Sequence, residues 1–350
     1  MKTKLLLIVF TFFWFLNINA QDVIDVVTGL NQPNRLLLNG NDLYFSTQNE
    51  ILKIDITQNS PTPVSVIGGL NDAVGMAMSG NILYIAEFGA GRISKIDVTD
   101  TAPTLETVIS GIGSPNGLLI SGNTLYYSDN NNDIVAKFDV TDPNPTTEVV
   151  ATSNFNFAPV GLVLQGNILY MAQGIANRVS KIDVTNGITT PVNVVTSVNR
   201  PLGIRMSGNI IYVTEYLDNK ISFKDITNTS NNLPTDLVTG VNHPSDIELA
   251  GSTLYILEKG ASKISKVEGI LGVENPIYQN KLQLFPNPVK DYIQISNLKE
   301  KTAYQIYNIL GVNIYEGIIQ PNEKIKTSTL SQGTYILSLS NGINFRFVKN

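Results

Sequence analysis

The chain has 350 residues, 43% of them hydrophobic and 15% charged, so it has material for a core and length for more than one domain. A formal net charge of −5 with no basic face argues against a nucleic-acid partner. The absence of cysteine excludes disulfides, thiolate nucleophiles and Cys-bound zinc, and a single histidine, His243, excludes a multi-histidine metal centre.

Residues 1–20 read as a signal peptide. Lys2 and Lys4 supply a positive start, Leu5 to Leu16 an apolar run, and Ala20 a small residue before the cleavage point at Gln21. The run is too short to cross a bilayer, so a mature protein without a transmembrane segment is expected.

From residue 21 to 269 the chain repeats itself. Tyr44, Tyr84, Tyr126, Tyr170, Tyr212 and Tyr255 anchor six copies spaced 40 to 44 residues apart. A Gly-Asn pair such as Gly40-Asn41 or Gly122-Asn123 precedes each anchor, with Gly251-Ser252 in the last copy, and reads as a two-residue hairpin in which both residues tolerate positive φ. Upstream of the hairpin stand Pro33, Pro115, Pro159, Pro201 and Pro244, with Ala73 in the second copy. Two residues further on, Gly75, Gly117, Gly161 and Gly203 open an apolar strand, and Arg35 and Asp246 replace them in the outermost copies. Alternating segments such as Ile93-Ser94-Lys95-Ile96-Asp97 form a third strand, and a Thr-rich turn leads to a Val-rich fourth. Four strands every 40 to 45 residues are the pattern of a β-propeller blade, so the expected fold class is all-β, a six-bladed propeller.

The ends of the repeat complement each other. Asp25 to Thr28 resembles a fourth strand with no copy before it, while the last copy stops after its third strand, Ile264 to Glu268. Pairing these fragments closes the ring and removes two exposed sheet edges. Through the Pro-x-Gly-apolar opening (Pro115-Asn116-Gly117-Leu118) and the Lys-Ile-Asp third strand, residues 22 to 269 resemble the NHL-repeat and lactonase-like propellers. That resemblance implies a fold shared by enzymes, binders and scaffolds.

A linker, 270–283, leads to a different pattern over 284–350. Leu284-Phe285-Pro286-Asn287-Pro288, Ile309-Leu310-Gly311 and Gln332-Gly333-Thr334-Tyr335 punctuate short alternating strands, as in a small β-sandwich. Pro286 and Pro288 are expected to fix an extended lead into the first strand. This order of motifs resembles the type A C-terminal sorting domain of the type IX secretion system of the Bacteroidetes. The resemblance implies Pro286, Asn287, Pro288, Gly311, Gly333 and Tyr335 as the sorting motif, the secretion machinery as partner, and a secreted or outer-membrane surface location reached through the periplasm.

Chemistry is expected on the face that carries the loops after each Tyr strand, because these vary between copies while the hairpins do not. Three residues after each Tyr stand Thr47, Glu87, Asp129, Gln173, Glu215 and Glu258. Such a ring could serve a metal or a general base; its recurrence favours acceptors that tie down their own loops. Asn34, Asn116 and Asp246, beside the Pro positions, could join Asp129 and Glu215 around one Ca²⁺, as the lactonase-like resemblance implies. Phe88, Phe155, Phe157 and Tyr216 could rim a sugar or peptide site, and His243 is a further candidate base. The expected ligand-binding set is therefore Asn34, Glu87, Phe88, Asn116, Asp129, Phe157, Glu215, Tyr216 and Asp246. With no nucleophile elbow, histidine pair or phosphate-cradling loop in view, the expectation is an exported binding protein for a glycan, peptide or protein, without a cofactor. The alternative is a calcium-dependent lactonase-like hydrolase of an ester or lactone.

Overall fold

The computed structural model describes residues 22–152, 158–187, 190–270, 283–296, 298, 301–309, 311–321, 323–340 and 344–350. The signal-peptide segment, Phe155, Phe157 and nearly all of the linker lie outside them. The chain divides into two compact units, Met1–Glu268 and Gly269–Asn350.

Among the described residues, the first unit holds six four-stranded antiparallel sheets. Five are consecutive meanders, such as Pro115–Ser121, Thr124–Asp129, Ile134–Asp139 and Glu148–Thr152. The sixth is composite: Ile24–Val27 pairs antiparallel with Lys263–Val267, with Asp25 opposite Ser265, and Lys263 Nζ lies 2.6 Å from an Asp25 carboxylate oxygen. The amino-terminal strand thus completes the last sheet.

Apolar faces explain why the sheets stack. The Tyr-anchored second strand is buried along its length, and its side chains pack against the neighbouring sheet: Tyr84 and Ile93 of the second copy cluster with Leu118, Leu125 and Tyr127 of the third. Tyr255, Leu257 and Ile264 of the sixth copy cluster likewise with Leu36, Leu43 and Phe45 of the first. First strands of adjacent copies touch all the way round, Leu36–Asn39 meeting Pro244–Ala250 at the seam. The sheets therefore close into a propeller.

Two turn types recur. In each hairpin only the glycine takes positive φ, for example +59° at Gly40 and +57° at Gly122; the following Asn does not. This is the glycine-first order that a II′ turn uses, so the two-residue hairpin forms without drawing on the tolerance of Asn for positive φ. After the third strand, Asp97 Oδ1 accepts from the N–H and hydroxyl of Thr99, and Asp55, Asp139, Asp183 and Asp225 do the same with Thr57, Thr141, Thr185 and Thr227.

The second unit contains a three-stranded and a four-stranded antiparallel sheet, a small β-sandwich. Ile293, Ile306, Ile319, Leu337 and Phe347 fill its core. Pro286-Asn287-Pro288 is not an extended lead. Gln283–Phe285 is already a strand, both X-Pro bonds are cis, and the Asn287 side chain donates to Arg346 O and accepts from Val348 N. Proline fixes its own φ but not its ψ, so the prolines alone do not require the chain to run straight on, and here it bends after its strand.

The inner strands approach so closely that a Cβ on Gly117 would stand 1.9 Å from Val160 O, whereas one on Gly122 would meet nothing within 4 Å. Gly117→Ala should therefore cost at least ~3 kcal/mol or prevent folding, against about 1 kcal/mol for Gly122→Ala, which is penalised only by its positive φ. Paired thermal melts check this, and equal costs would contradict the close-packed ring.

Candidate functional site

At one end of the ring a cavity of about 310 Å³ opens between the loops that follow the Tyr strands. Each copy contributes its residue after the Pro position: Asn34, Val74, Asn116, Val160, Leu202 and Ser245. The strand pairing explains the placement. Pro115 lies opposite Asp129 but Leu118 opposite Tyr127, a bulge that frees the two residues between from regular pairing. Equivalent bulges occur in the second, fourth and fifth copies, and in the sixth a bulge frees Ser245 alone, Asp246 lying opposite Leu257. The walls come from the residue four after the Tyr anchor, as Phe88, Asn130, Gly174, Tyr216 and Lys259.

Arg35 forms the floor. Standing where other copies have glycine, it crosses the axis to donate to Ser245 O of the sixth copy at 2.5 Å and Asn116 Oδ1 of the third at 3.0 Å. Below it lies a narrow second cavity of about 30 Å³, lined by the inner-strand glycines with Arg205 and Asp246. There Asp246 Oδ2 accepts from Leu36 N at 3.0 Å, and Arg205 lies 3.6 Å from Asp246 and 2.5 Å from Glu248. Burial works against the Arg205 charge, but Glu248 and Asp246 outweigh it and push its pKa above the ordinary value.

The residues expected from the sequence separate into three groups. Asn34, Phe88, Asn116 and Tyr216 line the mouth cavity. Asp246 sits below the floor, and Phe157 falls outside the described residues. Glu87, Asp129 and Glu215 are buried and turned into their own loops. Asp129 accepts from the backbone N–H groups of Gly113, Ser114, Asn131 and Asn132. Glu87 holds Asn71 N, Ser94 Oγ and the Arg92 guanidinium, and Glu258 holds Asn242 N and Ser265 Oγ in the same pattern. His243 stands with its ring 4.8 Å from that of Tyr216, whose other neighbour is the Arg200 guanidinium at 5.2 Å.

These contacts also decide whether the residues suit Ca²⁺. Asn34 Oδ1 accepts from Lys259 Nζ at 2.7 Å, Asn116 Oδ1 from Arg35, and Asp246 from Leu36 N. The would-be donors face cations and amides instead of one another, so the set does not fit a divalent cation. Among the described residues no group of three or more His, Cys, Asp or Glu side chains converges.

Sequence reading missed Arg35, Asp72, Asn130, Arg200 and Lys259 as cavity residues. A signal for two of them was present: the fourth position after each Tyr varies from Phe88 to Asn130, Gly174, Tyr216 and Lys259, and only the aromatics were singled out.

One repeat position shows opposite carboxylate shifts. Burial opposes the Glu87 charge, but bonds from Arg92, Ser94 and Asn71 N overcome it and lower its pKa; in Glu215 burial wins and raises it, Lys220 lying 3.6 Å away. A lowered carboxylate stabilises above its ordinary pKa of 4.5 and loses that contribution as the pH falls through the lower folded value. A raised one contributes below the ordinary pKa and loses this as the pH rises through the higher folded value. Glu87→Gln should thus cost about 2 kcal/mol at pH ~7 and less at pH ~4, while Glu215→Gln is neutral or stabilising at pH ~7. Melting curves at both pH values test the pair.

No curated protein matches the sequence. Solved structures share its fold at low identity. The crystal structure of a nidogen/laminin complex is 14% identical with a TM-score of 0.54, covering 62% of this chain and 85% of that chain. A catalytically inactive virginiamycin B lyase from Staphylococcus aureus with quinupristin is 17% identical with a TM-score of 0.53, covering 71% and 99%. A streptogramin B lyase is 18% identical with a TM-score of 0.52, covering 71% and 86%. Residues 283–349 match the family described as the secretion system C-terminal sorting domain, which marks the chain as cargo of the type IX secretion system, bound for the cell surface or the medium.

Proposed function

We propose that the propeller is an exported binding module, carried into the periplasm by residues 1–20 and across the outer membrane by its tail, and that it takes a glycan, peptide or protein ligand at the mouth cavity. One observation carries this reading: all six copies deliver a residue to the same cavity, and those side chains are of four kinds (Asn, Val, Leu and Ser), while the recurring carboxylates are spent on their own loops. A site assembled from unlike residues on a rigid ring suits recognition. The calcium-dependent hydrolase is the weaker reading, because its oxygen donors already face Lys259, Arg35 and backbone amides.

Gly174→Trp fills the cavity from a position where an added Cβ meets only ordinary contacts, the nearest at 3.4 Å. This variant should abolish ligand capture on glycan and peptide arrays while leaving the melting temperature within a few degrees of the parent. Capture that survives the substitution would move the site elsewhere. Millimolar Ca²⁺ should neither raise the melting temperature nor give titration heat, and lactone and ester screens should show no turnover; a positive result in these assays would restore the hydrolase.

Removal of residues 283–349 should leave the propeller inside the cell envelope of a bacterium that carries the type IX system. Cell fractionation reads this directly.

A further inference from the structure

The mouth cavity holds more positive charge than it balances. Arg35, Arg200 and Lys259 line it against one carboxylate, Asp72. Burial, then repulsion from Arg35, draws the Lys259 pKa below the ordinary lysine value; Asp72 counters this and Arg200 adds to it. Crowded cations of this kind favour an anion among them.

Two residues that line the cavity each carry a buried polar atom without a partner. Arg35 is only 7% exposed, and its Nε donor is buried without an acceptor; Asn130 Oδ1 is buried without a donor. A buried polar atom without a partner costs free energy that a ligand can recover. The rest of the lining includes the apolar and aromatic side chains Val160, Leu202, Phe88 and Tyr216. Tyr216 is held between Arg200 and His243 and so is already ordered.

Resting on the binding reading above, we propose that this cavity takes a sugar acid, a uronic acid residue of a glycan. Its carboxylate meets Lys259 and Arg200 above the Arg35 floor, a hydroxyl meets the Asn130 side-chain amide, and the C–H face of the ring lies on Tyr216. A simple inorganic anion answers only the cations. A compact body bearing a carboxylate, hydroxyls and an apolar face answers all three features at once.

Calorimetric titration of the full-length protein with digalacturonate, with the neutral digalactose and with an N-acetylated acidic dipeptide tests the proposal. Digalacturonate should bind at least tenfold more tightly than digalactose, and Lys259→Gln and Arg200→Gln should each weaken it roughly tenfold, a larger loss than either causes for the neutral sugar. Asn130→Ala should weaken the sugar acid. Raising the pH through the lowered Lys259 pKa discharges the ammonium and should release digalacturonate, and Lys259→Arg should hold it at that pH. Equal binding of digalactose, tighter binding of the dipeptide, or indifference to Lys259→Gln and Arg200→Gln would each overturn the sugar acid while leaving a binding module in place. Lack of array capture by the unmutated protein would instead overturn the binding reading itself.

Discussion

Six inner strands meet around one axis with so little room that four successive copies, at Gly75, Gly117, Gly161 and Gly203, have no space for a Cβ at the second residue after the Pro position. At Gly75 and Gly117 an added carbon would stand 1.9 Å from the next strand's carbonyl oxygen, and at Gly161 it would stand 2.5 Å away. Hydroxyls exploit the same proximity: Ser128 Oγ accepts from Gly117 N and donates to Val160 O, and Ser46 Oγ accepts from Arg35 N and donates to Val74 O. Each hydroxyl joins two copies with a pair of hydrogen bonds, which adds direction to an otherwise nondirectional apolar stack. The seam escapes the glycine rule. There Arg35 and Asp246 occupy the glycine positions, and their charges bind the first copy to the last through Ser245 O and Leu36 N.

The repeat assigns its recurrent positions to holding loops and its variable positions to the cavity. A side-chain acceptor three residues after the Tyr gathers the loop sixteen residues back, as Asp129 gathers Gly113, Glu215 gathers Asn199 and Glu258 gathers Asn242. With the loops fixed in this way, the next residue along can differ in every copy without disturbing the scaffold. Further stitching runs between copies, since Asn177 and Asn219 accept from Arg200 N and His243 N of the following copy, both residues in left-handed conformation. Arg200 is thereby held at the rim by its backbone, which leaves its guanidinium over Tyr216.

The architecture was legible because each blade obeys local rules. Period-two strands, glycine hairpins and a missing fourth strand at one end are written in the residues themselves, and even the pairing of Asp25 with the Ile264 segment followed from that deficit. The site was only half legible. Phe88 and Tyr216 stood out as aromatics and Asn34 and Asn116 by their place beside proline, yet Arg35 looked like a mere departure from glycine. Its role depends on side-chain reach across the axis to copies distant in sequence, and no local pattern encodes that distance. For Glu87, Asp129 and Glu215 the recurrence pointed to acceptors that hold their own loops, which their backbone partners bear out, although the same residues also stood in the expected ligand-binding set.

The Arg35 guanidinium also sets how anything can reach the cavity. By bridging Ser245 and Asn116 it stops the axis partway, with only a slender void of about 30 Å³ behind it. Traffic is therefore confined to a single doorway: a polymer can dip a terminus or a pendant group into this propeller but cannot be threaded through it like a bead on a string.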